Sequence, residues 1–376
     1  MYRSIEKTII NLAKKNTAII LEGPSGYGKK ELARKLFPDK KVVNFEDDYI
    51  RKLAEQSPRT FLLAFPEGLI IIEAFRAKGI LDAVRYYVDL DGFSPAKYIM
   101  TSSYDSRWTE FDNEKHPFPR IIITGFSIEE LIKLKKASNN PFKLILVGQH
   151  PKSLSPKYSP NIAIEDIVSQ AMNHPTKKIN SSNEPLFRKF LTSCARVSGQ
   201  CLSMNQMAKN TGISAPTAKT WILILEELCF ANVVNCESKA PIFYLTDSGV
   251  ICKLLGLNSP SDIILNPHRD SIVTSFVLGE LSRVRQAKGL GLNLKASVKE
   301  STSRITFQAK WDKKYEIVIC PQIEVTDDFL PTRAQSKSGT KKVLLHLGDV
   351  TYTNKGVDCI SWRDWYKFAC ELDYFS

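Results

Sequence analysis

The segment Gly23-Pro24-Ser25-Gly26-Tyr27-Gly28-Lys29-Lys30 constrains the fold of this chain more than any other. It follows the apolar run Ala18-Ile19-Ile20-Leu21 and precedes a helical pattern, Glu31-Leu32-Ala33-Arg34-Lys35-Leu36. Strand, glycine-rich turn and helix, in that order, give a loop whose backbone N–H groups can curl around phosphate oxygens. The helix N-terminus adds partial positive charge, and Lys29 can reach the terminal phosphates. Every residue from Gly23 to Lys30 is therefore a candidate nucleotide contact, with ATP as the expected cofactor. The position after the lysine ordinarily carries a Ser or Thr whose hydroxyl ligates Mg²⁺. Here it is Lys30, and an ammonium cannot ligate a cation. One reading is that the Lys30 charge replaces part of the missing ion and preserves binding without hydrolysis; others are loss of binding, or residual turnover.

Strand-like runs alternate with helical patterns over the first half of the chain: Lys41–Phe45, Leu69–Ile72, Lys97–Thr101 and Arg120–Thr124. Such alternation predicts an α/β domain with a parallel sheet covered by helices on both faces. The run Leu69-Ile70-Ile71-Ile72 ends on Glu73. In P-loop ATPases that strand ends in Asp-Glu, where the Asp holds Mg²⁺ and the Glu polarises the attacking water. Only the Glu is present, so Glu73 is the candidate catalytic carboxylate, and Ile72 marks a second lost Mg²⁺ contact.

Farther along, Ser203 precedes a short helix, Met204–Asn210, and Thr211-Gly212-Ile213 forms a tight turn. Ser214 then caps a longer helix with Pro216 in its first turn and Ala218, Trp221, Ile222, Leu225 and Leu228 on one face. This is a helix-turn-helix pattern, and Phe230–Val234 with Ile242–Leu245 read as the strands of a wing. Candidate DNA contacts are Lys209, Thr217, Lys219 and Thr220, mostly through phosphates; the alternative is a protein-packing module.

Composition sets outer bounds. A length of 376 residues allows two or three domains, and 43% hydrophobic with 24% charged content is ordinary for a globular chain. The net charge of +12 suits a polyanion. It is spread out, however: 28 basic against 21 acidic residues in 1–180, 7 against 5 in 181–260, and 17 against 14 in 261–376. The eight cysteines all lie in the C-terminal half without a C-x-x-C pair, which predicts free thiols in a reducing, cytoplasmic setting. The scattered histidines His116, His150, His174, His268 and His346 predict neither a metal centre nor a hydrolase triad. No apolar run approaches the ~18 residues of a membrane span, so no membrane association is expected.

Several further segments carry a resemblance. These are Ile72-Glu73-Ala74-Phe75, the helix closing at Tyr87-Val88-Asp89, and the strand Tyr98-Ile99-Met100-Thr101-Ser102-Ser103. Arg120, Phe126–Leu131, Val147-Gly148-Gln149-His150-Pro151 and Phe243–Gly249 follow, and then Thr274–Leu281, Lys314–Ile319 and Ile323-Glu324-Val325-Thr326. Together they resemble the prokaryotic AAA+ ATPases that carry a winged helix and a C-terminal restriction-endonuclease-like, PD-(D/E)xK domain. The resemblance implies three domains: 1–180, an AAA+-like P-loop domain with its lid; 184–250, a winged helix; and 262–376, an α/β restriction-endonuclease-like domain. It implies that Thr101 and Ser102 sense the γ-phosphate. It also implies that Glu316 and Glu324 stand on adjacent strands as nuclease carboxylates, with Thr326 where the lysine belongs and Thr274 where a Glu belongs.

Groups that phosphate chemistry would use are thus replaced at both sites, while the scaffold residues remain. The expected function is a degenerate ATPase-like protein that binds nucleotide weakly or without turnover. It would act as a DNA-associated adaptor or regulatory subunit, with self-association or a larger assembly possible and an inactive nuclease-like domain. The alternatives are an active ATP-hydrolysing protein working on DNA, and a purely structural subunit of a protein assembly.

Overall fold

A computed structural model describes residues 2–103, 118–159, 161–174, 179–235, 240–288, 294–298, 305–309, 315–326, 329–330 and 341–371, with backbone only at 294–298, 305–309, 315–316 and 371. Cys236, His116 and the acids at 327 and 328 lie outside the described residues.

The N-terminal part runs α1 (Glu6–Lys15), β1 (Ala18–Glu22), α2 (Lys29–Leu36), β2 (Lys41–Asn44), α3 (Asp48–Gln56), α4 (Pro58–Leu63), β3 (Leu69–Ile72), α5 (Ile80–Asp91), β4 (Tyr98–Ser102) and β5 (Arg120–Ile122). The five strands form one parallel sheet in the order β2-β3-β4-β1-β5. β1, β3 and β4 are buried at every residue, as strands covered on both faces must be. Ala54 of α3, Leu62 of α4 and Ile80 and Val84 of α5 pack on one face. Ile9 of α1 and Leu32 and Ala33 of α2 pack on the other. The chain leaves β1 for one side of the sheet and later returns to add β5 on the other. That switch places the carboxyl ends of β1 and its neighbours at the crevice where α/β sheets bind ligands.

Next come α6 (Ile128–Lys133), α7 (Pro141–Val147), α8 (Ile162–Met172) and α9 (Glu184–Val197), then β6 (Gln200–Cys201), α10 (Met204–Thr211), α11 (Ala215–Glu227), β7 (Ala231–Val234) and β8 (Ile242–Leu245). Local chemistry sets the helix starts. The Ser203 hydroxyl accepts from Gln206 N, and that of Ser214 accepts from Thr217 N. Gly212, at φ +84°, closes α10 in a left-handed turn. Trp221 of α11 sits edge-on to Phe187 and Phe190 of α9, at 5.3 and 5.2 Å between ring centroids. β6, β8 and β7 form a small antiparallel sheet.

The remainder comprises α12 (Ser248–Leu254), α13 (Pro260–Leu265), α14 (Arg269–Ala287), β9 (Leu294–Val298), β10 (Ile305–Ala309), β11 (Tyr315–Ile319), β12 (Lys341–His346), β13 (Tyr352–Asn354), β14 (Val357–Ser361) and α15 (Trp365–Glu371). Its sheet runs β13-β14-β12-β11-β10-β9, with β12 parallel to both β11 and β14. Here one expectation fails. Ile323-Glu324-Val325-Thr326 is not a strand but a bend, with Ile323 53% exposed. Pro321 stands two residues past the end of β11, and β12 rather than this segment takes the place beside β11 in the sheet. One apolar cluster, running from Tyr27 to Ala369, joins α6–α9, α11, α12, α14 and α15. Among the described residues no helix is long and apolar enough to cross a membrane.

Candidate functional site

The glycine loop leaves β1 at its carboxyl end and delivers the chain into α2. Gly23 has φ +133°, and a Cβ there would lie 2.0 Å from Ile123 O of the segment after β5, so only glycine fits. Gly28, at φ +84°, is the N-cap of α2. Lys29 opens that helix and is buried, its ammonium donating to Gly23 O (2.7 Å), Pro24 O (2.8 Å) and Ser103 Oγ (3.4 Å). Burial lowers its pKa, opposed by the nearby Glu73 carboxylate. Lys30 is half-buried on the next position of the helix.

Glu73 follows β3 with φ +54°, a left-handed conformation that side chains other than glycine seldom adopt. Its carboxylate is buried and accepts from Ser103 Oγ (2.6 Å) and Ser103 N (3.1 Å), while its own N–H donates to Thr101 Oγ1 (3.1 Å). Ile72 is 3% exposed and packs with Ile19, Leu21 and Ile99 in the apolar layer beneath α1 and α2. Of the strand-tip residues read from the sequence, Thr101 orients the Glu73 backbone and Ser102 is wholly buried. The residue that touches both Lys29 and Glu73 is Ser103, one position beyond the predicted pair. A strand tip is legible in the sequence, but its last hydroxyl is distinguished only by reach across two strands.

A second layer covers the loop from α8 and the turn before it. Gln170 Oε1 accepts from Ser25 N at 2.9 Å. Lys152 pairs with Asp166 at 2.9 and 2.7 Å and lies against Gly26, where a Cβ would come within 2.8 Å of its Cε. Tyr27 points inward, 4% exposed, edge-on to His150 (4.8 Å) and close to Phe230 (6.3 Å). His150 is fully buried with Nε2 3.5 Å from Asp166, and burial lowers its pKa against the pull of Asp247 and Asp166. None of Lys152, Asp166 or Gln170 was singled out by the sequence, because each meets the loop across more than a hundred residues of chain.

The remaining candidates lie apart from this site. Lys209 and Lys219 are exposed, on α10 and α11. Thr217 shares a 2.7 Å hydrogen bond with Ser214, and Thr220 donates back to Pro216 O, so both hydroxyls have partners within their own helix. Glu324 is exposed on the bend, not on a strand beside Glu316. The adjacent-strand pair of carboxylates is therefore not formed as expected, and the Glu316 side chain lies outside the described residues. In the sheet, Glu316 stands opposite Lys342 of β12. Glu280 is buried in α14 and caps α6 through Ile128 N at 2.9 Å, a structural task. Among the described residues no group of three or more His, Cys, Asp or Glu side chains is placed to hold a metal ion.

Sheet order, loop and buried lysine define a P-loop ATPase-like α/β fold. A family model described as a domain of unknown function, DUF8612, matches residues 140–261, the stretch that contains Lys152, Asp166 and Gln170. The uncharacterized proteins Rv2008c of Mycobacterium tuberculosis and Mb2031c of Mycobacterium bovis are each 21% identical over 281 residues, covering 70% of this chain and 62% of theirs. The match thus spans less than two thirds of those proteins. Among solved structures, the Walker-type ATPase PABY2304 of Pyrococcus abyssi is similar at TM-score 0.44 and 12% identity, over 67% of this chain and 95% of its own. RuvB of Thermotoga maritima follows at TM-score 0.32 and 15% identity, over 68% and 95%. These likenesses are distant, and the fold assignment rests on the sheet order and loop geometry above.

Proposed function

We propose that this chain is a cytoplasmic ATPase-like protein that binds ATP without efficient turnover and serves as a DNA-associated adaptor or regulatory subunit. In this reading residues 184–250 act as a winged helix and 262–376 as a restriction-endonuclease-like scaffold without nuclease chemistry. The observation that carries it is the pairing of a formed phosphate loop with an unsuitable metal position. The loop enters α2 at Gly28, and the Lys29 ammonium lies within it on Gly23 O and Pro24 O, acceptors that a phosphate oxygen would replace. The groups at the two usual Mg²⁺ positions do not fit the ion: Ile72 is packed in the core, and Lys30 brings a positive charge. The Glu73 carboxylate is meanwhile held by Ser103. The glycines and lysine of the loop suit the phosphates of ATP; Mg²⁺ does not fit these residues, and no step is routed through it.

DNA association draws on the net charge of +12 and on exposed Lys209 and Lys219 on neighbouring helices. Duplex titration followed by fluorescence anisotropy tests it. Affinity should fall at least tenfold between roughly 50 and 200 mM salt, as phosphate contacts release counterions, and weaken further in Lys209→Ala/Lys219→Ala. Absence of binding at the lower salt would remove DNA from the account.

A second reading, a working ATPase, is favoured by one feature. Glu73 holds a strained left-handed backbone beside Lys29, the kind of conformation that clusters at reacting centres. Steady-state phosphate release that is measurable in the wild type and lost in Glu73→Gln would establish it over the first.

A further inference from the structure

We infer that α8 is a latch on the phosphate loop, closed by Gln170 and the Lys152–Asp166 pair and opened when a phosphate group competes for the same partners. The inference rests on the nucleotide-binding reading of the loop and adds its regulation. Ser25 N–H is a backbone donor of the glycine loop, and in this state it is spent on Gln170 Oε1 at 2.9 Å. Lys152 is the cation of this turn that lies against Gly26, and its charge is spent on both oxygens of Asp166. Lys29 is likewise turned onto the loop carbonyls Gly23 O and Pro24 O. Donors facing an incoming phosphate are thus occupied by protein acceptors, two of them carried by the same helix one turn apart. A phosphate in the loop offers Lys29 and Lys152 a charged acceptor in place of carbonyls and Asp166, and takes the Ser25 amide from Gln170. The exchange at Ser25 loosens α8 from the loop, and the exchange at Lys152 loosens α8 from the turn that lies against Gly26.

What α8 holds at its other end gives the exchange a destination. α8 packs on α9 and α11. Just past its end, His174 Nε2 lies 2.8 Å from Glu227 Oε2, at the last residue of α11, with both side chains almost wholly buried. Tyr27, within the loop itself, packs towards Phe230 three residues beyond α11. Occupancy of the loop is therefore tied at two points to the helix that carries Lys219.

The test uses the full chain with Gln170→Ala, Asp166→Asn and Gln170→Glu. Hydrogen exchange of the peptide spanning Ser25, measured without ligand, should quicken severalfold in Gln170→Ala because the amide loses its acceptor, about the effect of one hydrogen bond. ATP affinity by calorimetry should rise roughly three- to tenfold in Gln170→Ala and Asp166→Asn, from which a competitor is removed, and fall in Gln170→Glu, which keeps the acceptor and adds negative charge. Unchanged exchange around Ser25 overturns the latch, whether or not ATP binds. Weaker ATP binding in Gln170→Ala and Asp166→Asn, with normal thermal melts, overturns it as well. If neither wild type nor any variant binds ATP, the nucleotide reading fails, and the ligand-free exchange alone decides the latch.

Discussion

At the scale of single residues, Lys29, Ser103 and Glu73 form one chain of contacts, from ammonium to hydroxyl to carboxylate, across the ends of β1, β4 and β3. Replacing Ser103 by Ala removes two partners at once and leaves a buried carboxylate with one donor fewer. The expected outcome is a loss of roughly 1–3 kcal/mol in unfolding free energy, read from denaturant titration. Two histidines make a pH prediction. His150 and His346 are buried, and burial lowers the pKa of each. Their folded values therefore lie below the unfolded value near ~6.5, the unfolded chain binds more protons in that window, and stability rises with pH through it. Buried Glu280, whose pKa is raised by burial, contributes the opposite slope, so the comparison must be internal. The melting temperature of wild type should fall between pH 7.5 and 5.5 more steeply than that of His346→Asn. Equal slopes would refute it. The lysine and glycines of this site were legible because the loop is contiguous. Ser103, Lys152, Asp166 and Gln170 were not, since their roles come from contacts between distant segments.

Elements show the same division. α10 and α11 could be read residue by residue because Ser203, Ser214, Gly212 and Pro216 fix their ends locally and the buried face of α11 follows helical spacing. The parallel strands were legible because burial on both faces leaves unbroken apolar runs. The Ile323–Thr326 segment misled because alternation of apolar and polar residues is only half of a strand. The other half is a free sheet edge, and β12 already lies beside β11. The nuclease reading depended on that missing strand. Plasmid DNA incubated with the protein and Mg²⁺ or Mn²⁺ should remain uncut, and cleavage abolished by Glu324→Ala would restore the reading. Trp221 offers the corresponding test of packing. Its ring is buried edge-on against the stacked Phe187 and Phe190, so Trp221→Ala should cost about 3–5 kcal/mol in denaturant unfolding.

For the whole molecule, the apolar cluster from Tyr27 to Ala369 ties the phosphate loop to the helices around α11 and to the C-terminal sheet. Buried charged groups brace the start of α6. Arg3 holds Glu130 at 3.2 Å and also donates to Thr124 O, while Glu280 reaches from α14 to the start of α6. The parallel sheet keeps its own apolar clusters on its two faces, so Tyr27 is the loop residue through which a ligand would reach the larger cluster. The central claim is that this loop takes ATP without needing Mg²⁺, and calorimetric titration with ATP in excess EDTA and again in Mg²⁺, beside Lys29→Ala, tests it most directly. The account predicts comparable affinity in both conditions and none in the variant. Binding that appears only with Mg²⁺ would contradict it.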